Sequence, residues 1–451
     1  MKLNFRNTFL VGLAFMSIIS FWQLYDNIVP LLLTNTFHMN EILSGVVMAA
    51  DNVLALFLLP FFGKLSDKTS TKIGKRMPYI LVGTLVAAVL LVLLPIIDNG
   101  AAAGKTGFFY TLPMFVIILG IMLFTMAVYR TPAVALMPDI TPKPLRSRGN
   151  AVINLMGALG GIIYLAFAAI TYPKSKTEGL AHVNYNMLFI FMAVFMVVCV
   201  GIMFLSVKEN ALTEANMKLE KEHPEWDIDS DSEAVSEDKS VSQKLSAPVR
   251  RSMIFLLASI ALWYIGYNAV TTWFTTYISK IMGEGIGGAS LCFLIANAGA
   301  IVSYIPLGML AAKIGRKKSI YFGTGLLTVS FTLAGILTVT SDHISVIMYL
   351  VFALIGVAWA AISVNSLPMV VEMCSGADLG KFTGFYYTAS MAGQVITPIL
   401  AGTLMRVISY KVLFVYATIF SFLSICTMTM VKHGDSKAQA PKGLESFEDF
   451  D

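Results

Sequence analysis

Twelve apolar runs, each long enough to cross a bilayer, leave this chain almost no architecture other than a bundle of membrane helices. They fall at about 8–33, 41–64, 77–97, 110–137, 148–172, 185–207, 252–280, 287–312, 317–340, 343–372, 380–405 and 410–432. About 20 apolar residues make one helical crossing, and in hydrocarbon a helix satisfies its backbone within a single segment. The predicted class is therefore an all-α membrane protein. Composition agrees, with 57% hydrophobic and 13% charged residues, far from the balance of a soluble domain. Lys2 and Arg6 ahead of the first run imitate a signal peptide. That run extends from Thr8 to Leu33, too long for a signal core, so a retained span is expected.

Two joints between runs carry nearly the same sequence. Gly63-Lys-Leu-Ser-Asp67 leading to Gly74-Lys75-Arg76 follows the second run, and Gly308-Met-Leu-Ala-Ala312-Lys313 leading to Gly315-Arg316-Lys317-Lys318 follows the eighth. A second echo lies further on. Asp139 and Arg148 flank the joint between runs four and five at the spacing of Glu372 and Lys381 between runs ten and eleven, and Gly160 and Gly393 follow at matching distances. Such self-similarity marks duplicated, pseudo-symmetric halves. The expected organisation is a six-helix half at 1–207, a disordered cytoplasmic linker at 208–250, a second six-helix half at 251–432 and an acidic cytoplasmic tail at 433–451. The linker, with Asp227-Ile-Asp-Ser-Asp-Ser-Glu233, is too charged to bury a core.

Basic residues set the orientation. Lys64, Lys68, Lys72, Lys75, Arg76, Lys143, Arg146, Arg148, Arg250, Arg251, Lys313, Arg316, Lys317 and Lys318 all follow even-numbered runs. The positive-inside rule then places both termini in the cytoplasm of a multi-pass plasma or inner membrane protein. A monomer is expected, with the bilayer as its surroundings. The net charge of +5 comes from these short clusters, so nucleic acid is not an expected partner.

Several chemistries have no support. Cys199, Cys292, Cys374 and Cys426 stand singly in apolar runs and read as small core residues. Gly100-Ala-Ala-Ala-Gly104-Lys105-Thr106 is one residue short of a phosphate-binding loop. Asp227, Asp229 and Asp231 alternate like a calcium loop, yet Ser232 stands where Gly is needed and Asp238 where Glu is needed. His38, His182, His223, His343 and His433 all lie in loops or tails. No enzymatic activity, metal or cofactor is expected.

Charges within the runs carry the functional signal. Asp26, Asp51 and Arg130 fall inside runs one, two and four. At a helix centre each costs roughly 2.5–3.5 kcal/mol, roughly 8–10 together, so they must pair or face water. Structural ion pairing would satisfy that, as would snorkelling of Arg130 to the interface. Proton or cation coupling would satisfy it too.

Polar and aromatic residues fall on helical stripes. Trp22, Gln23, Asp26, Asn27 and Pro30 belong to run one, and Tyr264, Tyr267, Asn268 and Thr271 follow i, i+3, i+4, i+7 on run seven. Asn150, Asn154, Gly157, Gly161 and Tyr164 share a face of run five, as Tyr386, Ser390, Gln394 and Thr397 do on run eleven. With Trp263, Trp359 and Asn365, these amides, hydroxyls and rings suit a neutral, hydroxyl-rich ligand. Helix–helix packing is the competing reading of each.

The loop Gly63-x-x-Ser-Asp67 with Gly74-Lys75-Arg76-Met77-Pro78 resembles the signature of the major facilitator superfamily, in the variant of the sucrose/proton symporters. Pro132 with Ala135-Leu136-Met137-Pro138-Asp139 resembles the same group, and Pro60, Gly63 and Gly74-Lys75 are a more distant likeness to the glycoside-pentoside-hexuronide:cation symporters. The resemblance implies a rocker-switch carrier that couples a glycoside to a cation gradient. It also implies a cytoplasmic gate at Gly63, Asp67, Gly74, Lys75, Arg76, Asp139 and Arg148, repeated at Gly308, Arg316, Glu372 and Lys381. Plant-type sucrose symporters carry an acidic residue on span four, and Leu123 to Val128 holds none. The melibiose type carries paired Asp residues on span two where Ala55 and Leu59 stand here. Coupling therefore falls to Asp26 or Asp51, or is absent. Ala312 stands where the first half has Asp67, so the two gates are expected to be unequal. Import of a di- or oligosaccharide with protons is the leading expectation. Sodium coupling, efflux of amphiphiles and a membrane sensor remain alternatives.

Overall fold

The computed structural model describes residues 4–223, 246–373 and 379–435. Cys374, the acidic run at 227–233 and the tail from 436 lie outside them. Among the described residues the chain forms fourteen α-helices and no strand. In chain order these are α1 (Phe5–Asn35), α2 (Glu41–Lys68), α3 (Met77–Ala102), α4 (Leu112–Ile140), α5 (Arg146–Thr171), the short α6 (Lys174–Thr177), α7 (Asn186–Ser206), α8 (Glu209–Glu222), α9 (Ala247–Ile281), α10 (Ile286–Ile314), α11 (Arg316–Thr340), α12 (Val346–Val371), α13 (Leu379–Val407) and α14 (Val412–Thr429).

Eleven of these helices are long and apolar enough to cross a membrane. The expected twelfth span is α13, 29 residues long. It falls outside the eleven because its Thr383, Tyr386, Tyr387, Thr388, Ser390 and Gln394 dilute its apolar character. Cys199 and Cys292 are buried as expected, but Cys426 is exposed on the outer surface of α14 and is no core residue.

The duplication appears as matched packing. An added Cβ at Gly160 would lie 2.1 Å from the Met16 carbonyl oxygen, and at Gly393 3.1 Å from that of Ala261. The two glycines thus let α5 lie against α1, and α13 against α9, at the same place in each half.

The helix starts and ends that gather the basic residues define one face of the bundle, called here the basic face. Arg76, only 4% exposed, donates to Asp67, to Ser66 and, at 2.9 Å, to Asp139. Lys75 joins Asp139 at 3.1 Å. Burial opposes the guanidinium charge, but Asp139 and then Asp67 outweigh it and hold its pKa above the ordinary arginine value. In the second half Arg316 meets Glu372 at 2.6 Å. Glu372 therefore pairs with the cation that starts the third span of its half, as Asp139 does, while Lys381 is exposed.

A helix stands where a disordered linker was expected. Residues 209–222, placed in the 208–250 linker by their polarity, form α8, whose Glu209 is 1% exposed. Its carboxylate accepts the backbone N–H groups of Lys75 and Arg76 at 2.8 Å and of Met77 at 2.9 Å. Those are orphan donors at the start of α3, where the helix dipole favours negative charge. Asn216 donates to the Asp139 carbonyl at 3.2 Å, and Arg146 reaches Glu220 at 3.0 Å. The second half repeats the device: Asp435, just beyond α14, accepts Lys317 N–H at 2.8 Å at the start of α11.

At the opposite face the halves meet. Asn27 accepts from Thr275 at 3.2 Å, Asn35 donates to Ser279 at 3.3 Å, and Lys174 pairs with Glu284 at 3.0 Å. Tyr410 donates to Glu41, and Arg406 lies 3.9 Å from the same carboxylate. Burial and then the Glu41 contact raise the Tyr410 pKa, so the phenol stays a donor. An added Cβ at Gly45 would sit 2.2 Å from the Pro398 carbonyl oxygen, so only glycine lets α2 approach α13 this closely. In α2 buried residues cluster between Glu41 and Ala49, and the chain from Asp51 to Phe61 is half-buried or exposed.

Glu209→Ala should cost about 1–2 kcal/mol, the scale of a lost helix cap. It should lower the melting temperature in detergent more than Glu214→Ala, whose carboxylate is exposed on α8; equal shifts would contradict the capping role. Gly45→Val should force the seam open. A Ser44→Cys thiol, buried in the parent, then reacts with an impermeant maleimide in a Cys426→Ser background, and continued protection would contradict the close approach.

Candidate functional site

Three intramembrane charges come together in the first half. Asp26 lies about nine residues from the opposite-face end of α1, roughly 13 Å along the axis, and Asp51 lies at similar depth on α2. The Asp51 charge acts on Asp26, and the Arg130 charge on Asp51. Asn52 donates to Asp51 at 2.9 Å. Among the described residues no ion pair within 4.0 Å involves Asp26, Asp51 or Arg130, so the structural-ion-pair reading does not hold in this state. With both carboxylates ionised, the trio carries a net charge of −1.

Proline shapes the backbone beside these groups. Pro30 lies inside α1 and Pro398 inside α13. Each removes the donor that would reach the carbonyl four residues earlier, namely that of Asp26 and that of Gln394. Both helices thus present an extra acceptor next to a candidate site residue. Tyr25, which donates to the Val47 carbonyl at 3.3 Å, and Tyr164, fully buried with an unpartnered hydroxyl, feel the Asp26 charge. Trp22 packs edge-on against Phe21 and Tyr25, centroids 5.1 and 5.5 Å away.

The second half contributes an aromatic cluster. Tyr267 stacks on Trp359 with centroids 3.9 Å apart and planes 13° apart, and Tyr264 meets the same indole edge-on at 5.2 Å. The Tyr264 and Tyr386 hydroxyls are 3.5 Å apart, and Ser366 lies 3.1 Å from Tyr386. Spacing along α9 already put Tyr264 and Tyr267 on one face. That Trp359 and Tyr386, from α12 and α13, would join them needed the tertiary structure.

The seal between halves fixes where these clusters lie. Asn27–Thr275 and Asn35–Ser279 tie α1 to α9. Trp22, Gln23 and Asp26 sit within about one and a half turns of Asn27 toward the basic face, and Tyr267 and Asn268 about two turns from Thr275 in the same direction. Asp26 and Tyr267 therefore lie beneath the seal on the two helices it joins.

Some expected ligands are committed elsewhere. Asn27 spends its amide on the Gln23 carbonyl at 2.7 Å and on Thr275, which makes it a seal residue in this state. Asn365, 1% exposed, donates to Ser319 at 3.0 Å within the second half and does not join the cluster. Trp263 is fully buried and offers no platform. Asn268 keeps a buried amide nitrogen without a partner. Gln394 is half-buried and Asn154 buried. Glu41, Glu284, Ser279, Thr275 and Glu209 were missed, because a carboxylate or hydroxyl near a span end carries no periodic signal.

Comparison with known proteins agrees with this architecture. The chain is 26% identical over 195 residues to the sucrose transport protein SUC3 of Arabidopsis thaliana, covering 40% of this chain and 33% of that one. It is 27% identical over 188 residues to the isoprimeverose transporter of Lactiplantibacillus pentosus, covering 41% and 38%. The matches thus span little more than a third of these relatives. The fold superposes on the inward-open xylose transporter XylE from E. coli with a TM-score of 0.64 at 14% identity, over 98% of both chains. The sequence model of the Major Facilitator Superfamily matches residues 8–303 and 285–448. With two packed helical halves, a sealed face and a charged, aromatic centre, the chain belongs to the Major Facilitator Superfamily, whose members are transporters and not enzymes.

Proposed function

We propose that the chain imports a glycoside of about two sugar units together with a proton, by alternating access between its halves. The observation that carries this reading is that Asp26, which feels the Asp51 charge, and Tyr267, which stacks on Trp359, lie on the two helices joined by the Asn27–Thr275 contact, within about two and a half turns of it. The basic face is assigned to the cytoplasm by the positive-inside rule. The opposite face is then the outer one, closed by the Asn27–Thr275, Asn35–Ser279 and Glu41–Tyr410 contacts.

Charge balance supplies the coupling. A net negative trio in a low-dielectric centre resists further burial between the halves, and one bound cation neutralises it. A proton needs no coordination shell, whereas sodium needs several oxygen ligands. Asp26, Asp51 and the carbonyl freed by Pro30 are the acceptors on offer. The sugar reading rests on ring faces and amides, since stacking favours the apolar face of a pyranose. It is supported by the likeness to the sucrose transport protein and the isoprimeverose transporter.

Uptake of labelled sucrose and isoprimeverose into energised vesicles tests the proposal directly. Accumulation should collapse on addition of a protonophore and persist without sodium, and uptake that follows sodium instead would contradict proton coupling. Asp26→Asn or Asp51→Asn should lower accumulation at least about tenfold while leaving downhill exchange, and wild-type accumulation in both variants would sink the mechanism. Trp359→Ala should raise KM about tenfold, equivalent to about 1.4 kcal/mol of lost contact. An unchanged KM would remove the stacking platform from the account.

A further inference from the structure

A cavity of about 430 Å³ opens on the sealed face, apart from the central site. Both halves build it, from the end of α1, the loop before α7 and the α9–α10 turn. Its base contains the Asn35–Ser279 bond at 3.3 Å. One wall is Glu284, 6% exposed and held by Lys174 at 3.0 Å. Another is His182, whose Nε2 lies 3.3 Å from the fully buried Asp98 and 2.9 Å from Asn99. Leu31 and Leu180 add apolar surface. The volume lies in the range of small-ligand pockets.

We infer that this cavity is a second, outer binding site for a neutral, hydroxyl-bearing solute, and that occupancy there holds the outer seal shut. The Asn35 amide, several hydroxyls, the imidazoles of His38 and His182 and two carboxylates surround it, so hydroxyl groups find donors and acceptors while anions meet Glu178 and Glu284. Asn35 and Ser279 belong to opposite halves, as do Lys174 and Glu284. The cavity therefore exists only while the seal is closed. A solute bound across the seam stabilises the closed form by mass action and has no such site once the halves part.

The consequence concerns the transport cycle, and it rests on the sugar-import reading above for the identity of the solute. An importer must reopen its outer face after each delivery, and a solute in the outer cavity opposes that step. High external solute therefore limits its own uptake. At ten times the outer-site dissociation constant, return to the outward-facing state slows about tenfold.

Initial uptake of sucrose or isoprimeverose, measured across a wide range of external concentration, should rise to a maximum and then fall. Ala181→Trp and Ala102→Trp each fill the cavity without touching the seal pairs. Either should abolish the fall while keeping the rate at low concentration. Equilibrium dialysis of the purified chain in nanodiscs should find two sugar sites in the parent and one in either variant. If neither sugar is taken up or bound, the sugar reading fails and this inference with it. If uptake saturates without decline and one site is found in the parent, the outer site alone is overturned. A decline that survives in both Trp variants overturns it as well.

Discussion

Hydrocarbon offers no partner to a polar group, and that single constraint arranges this molecule. Every charge must be capped, paired or given a cavity, at a cost of several kcal/mol otherwise. At the basic face the cost is met by carboxylates: Glu209 closes the start of α3, Asp435 the start of α11, and Asp139 and Glu372 hold Arg76 and Arg316. At the opposite face it is met between halves, by amide–hydroxyl bonds and by the Lys174–Glu284 and Tyr410–Glu41 pairs. In the middle, Asp26, Asp51 and Arg130 remain without close ion pairs, and that is where a movable charge can act.

The two faces differ in the kind of bond they use. The named basic-face pairs lie within one half and brace it as a rigid body. Those of the opposite face cross between halves: the two amide–hydroxyl bonds are worth only about 1 kcal/mol net each, and Lys174–Glu284, Tyr410–Glu41 and Arg406–Glu41 add charged contacts at the rim. A body that is stiff internally and weakly latched externally is suited to rocking. The latch is also close-packed, since Gly45 meets the Pro398 carbonyl directly. The halves are not equal: Arg76 has Asp67 as a second partner, and Ala312 supplies none in the second half.

Much of this was legible in the sequence, for physical reasons. Apolar length alone announces a span, so the helices followed from hydropathy, and the one exception was α13, where the polar stripe lowers the apolar signal. The duplicated basic turns gave the halves, because a repeat survives as spacing. Arg76, Asp139, Arg316 and Glu372, expected from the resemblance to form a gate, meet as pairs, although Glu372 pairs with Arg316 and not with the nearer-in-sequence Lys381. Glu209 was hidden in a polar stretch whose composition reads as linker. Its helix is ordered by three backbone N–H groups of another loop, a cause that no local pattern carries. Asn27 and Asn365 looked like ligands since an amide on a stripe cannot announce whether it will serve a substrate, a seal or a neighbouring helix.

The central claim is that a sugar and a proton cross together through the site beneath the seal. The most direct measurement is the external pH of lightly buffered, de-energised vesicles on adding sucrose or isoprimeverose. The account predicts prompt alkalinisation with a transported sugar, absent in Asp26→Asn or in Asp51→Asn. Sugar entry with no movement of protons in the parent would contradict it.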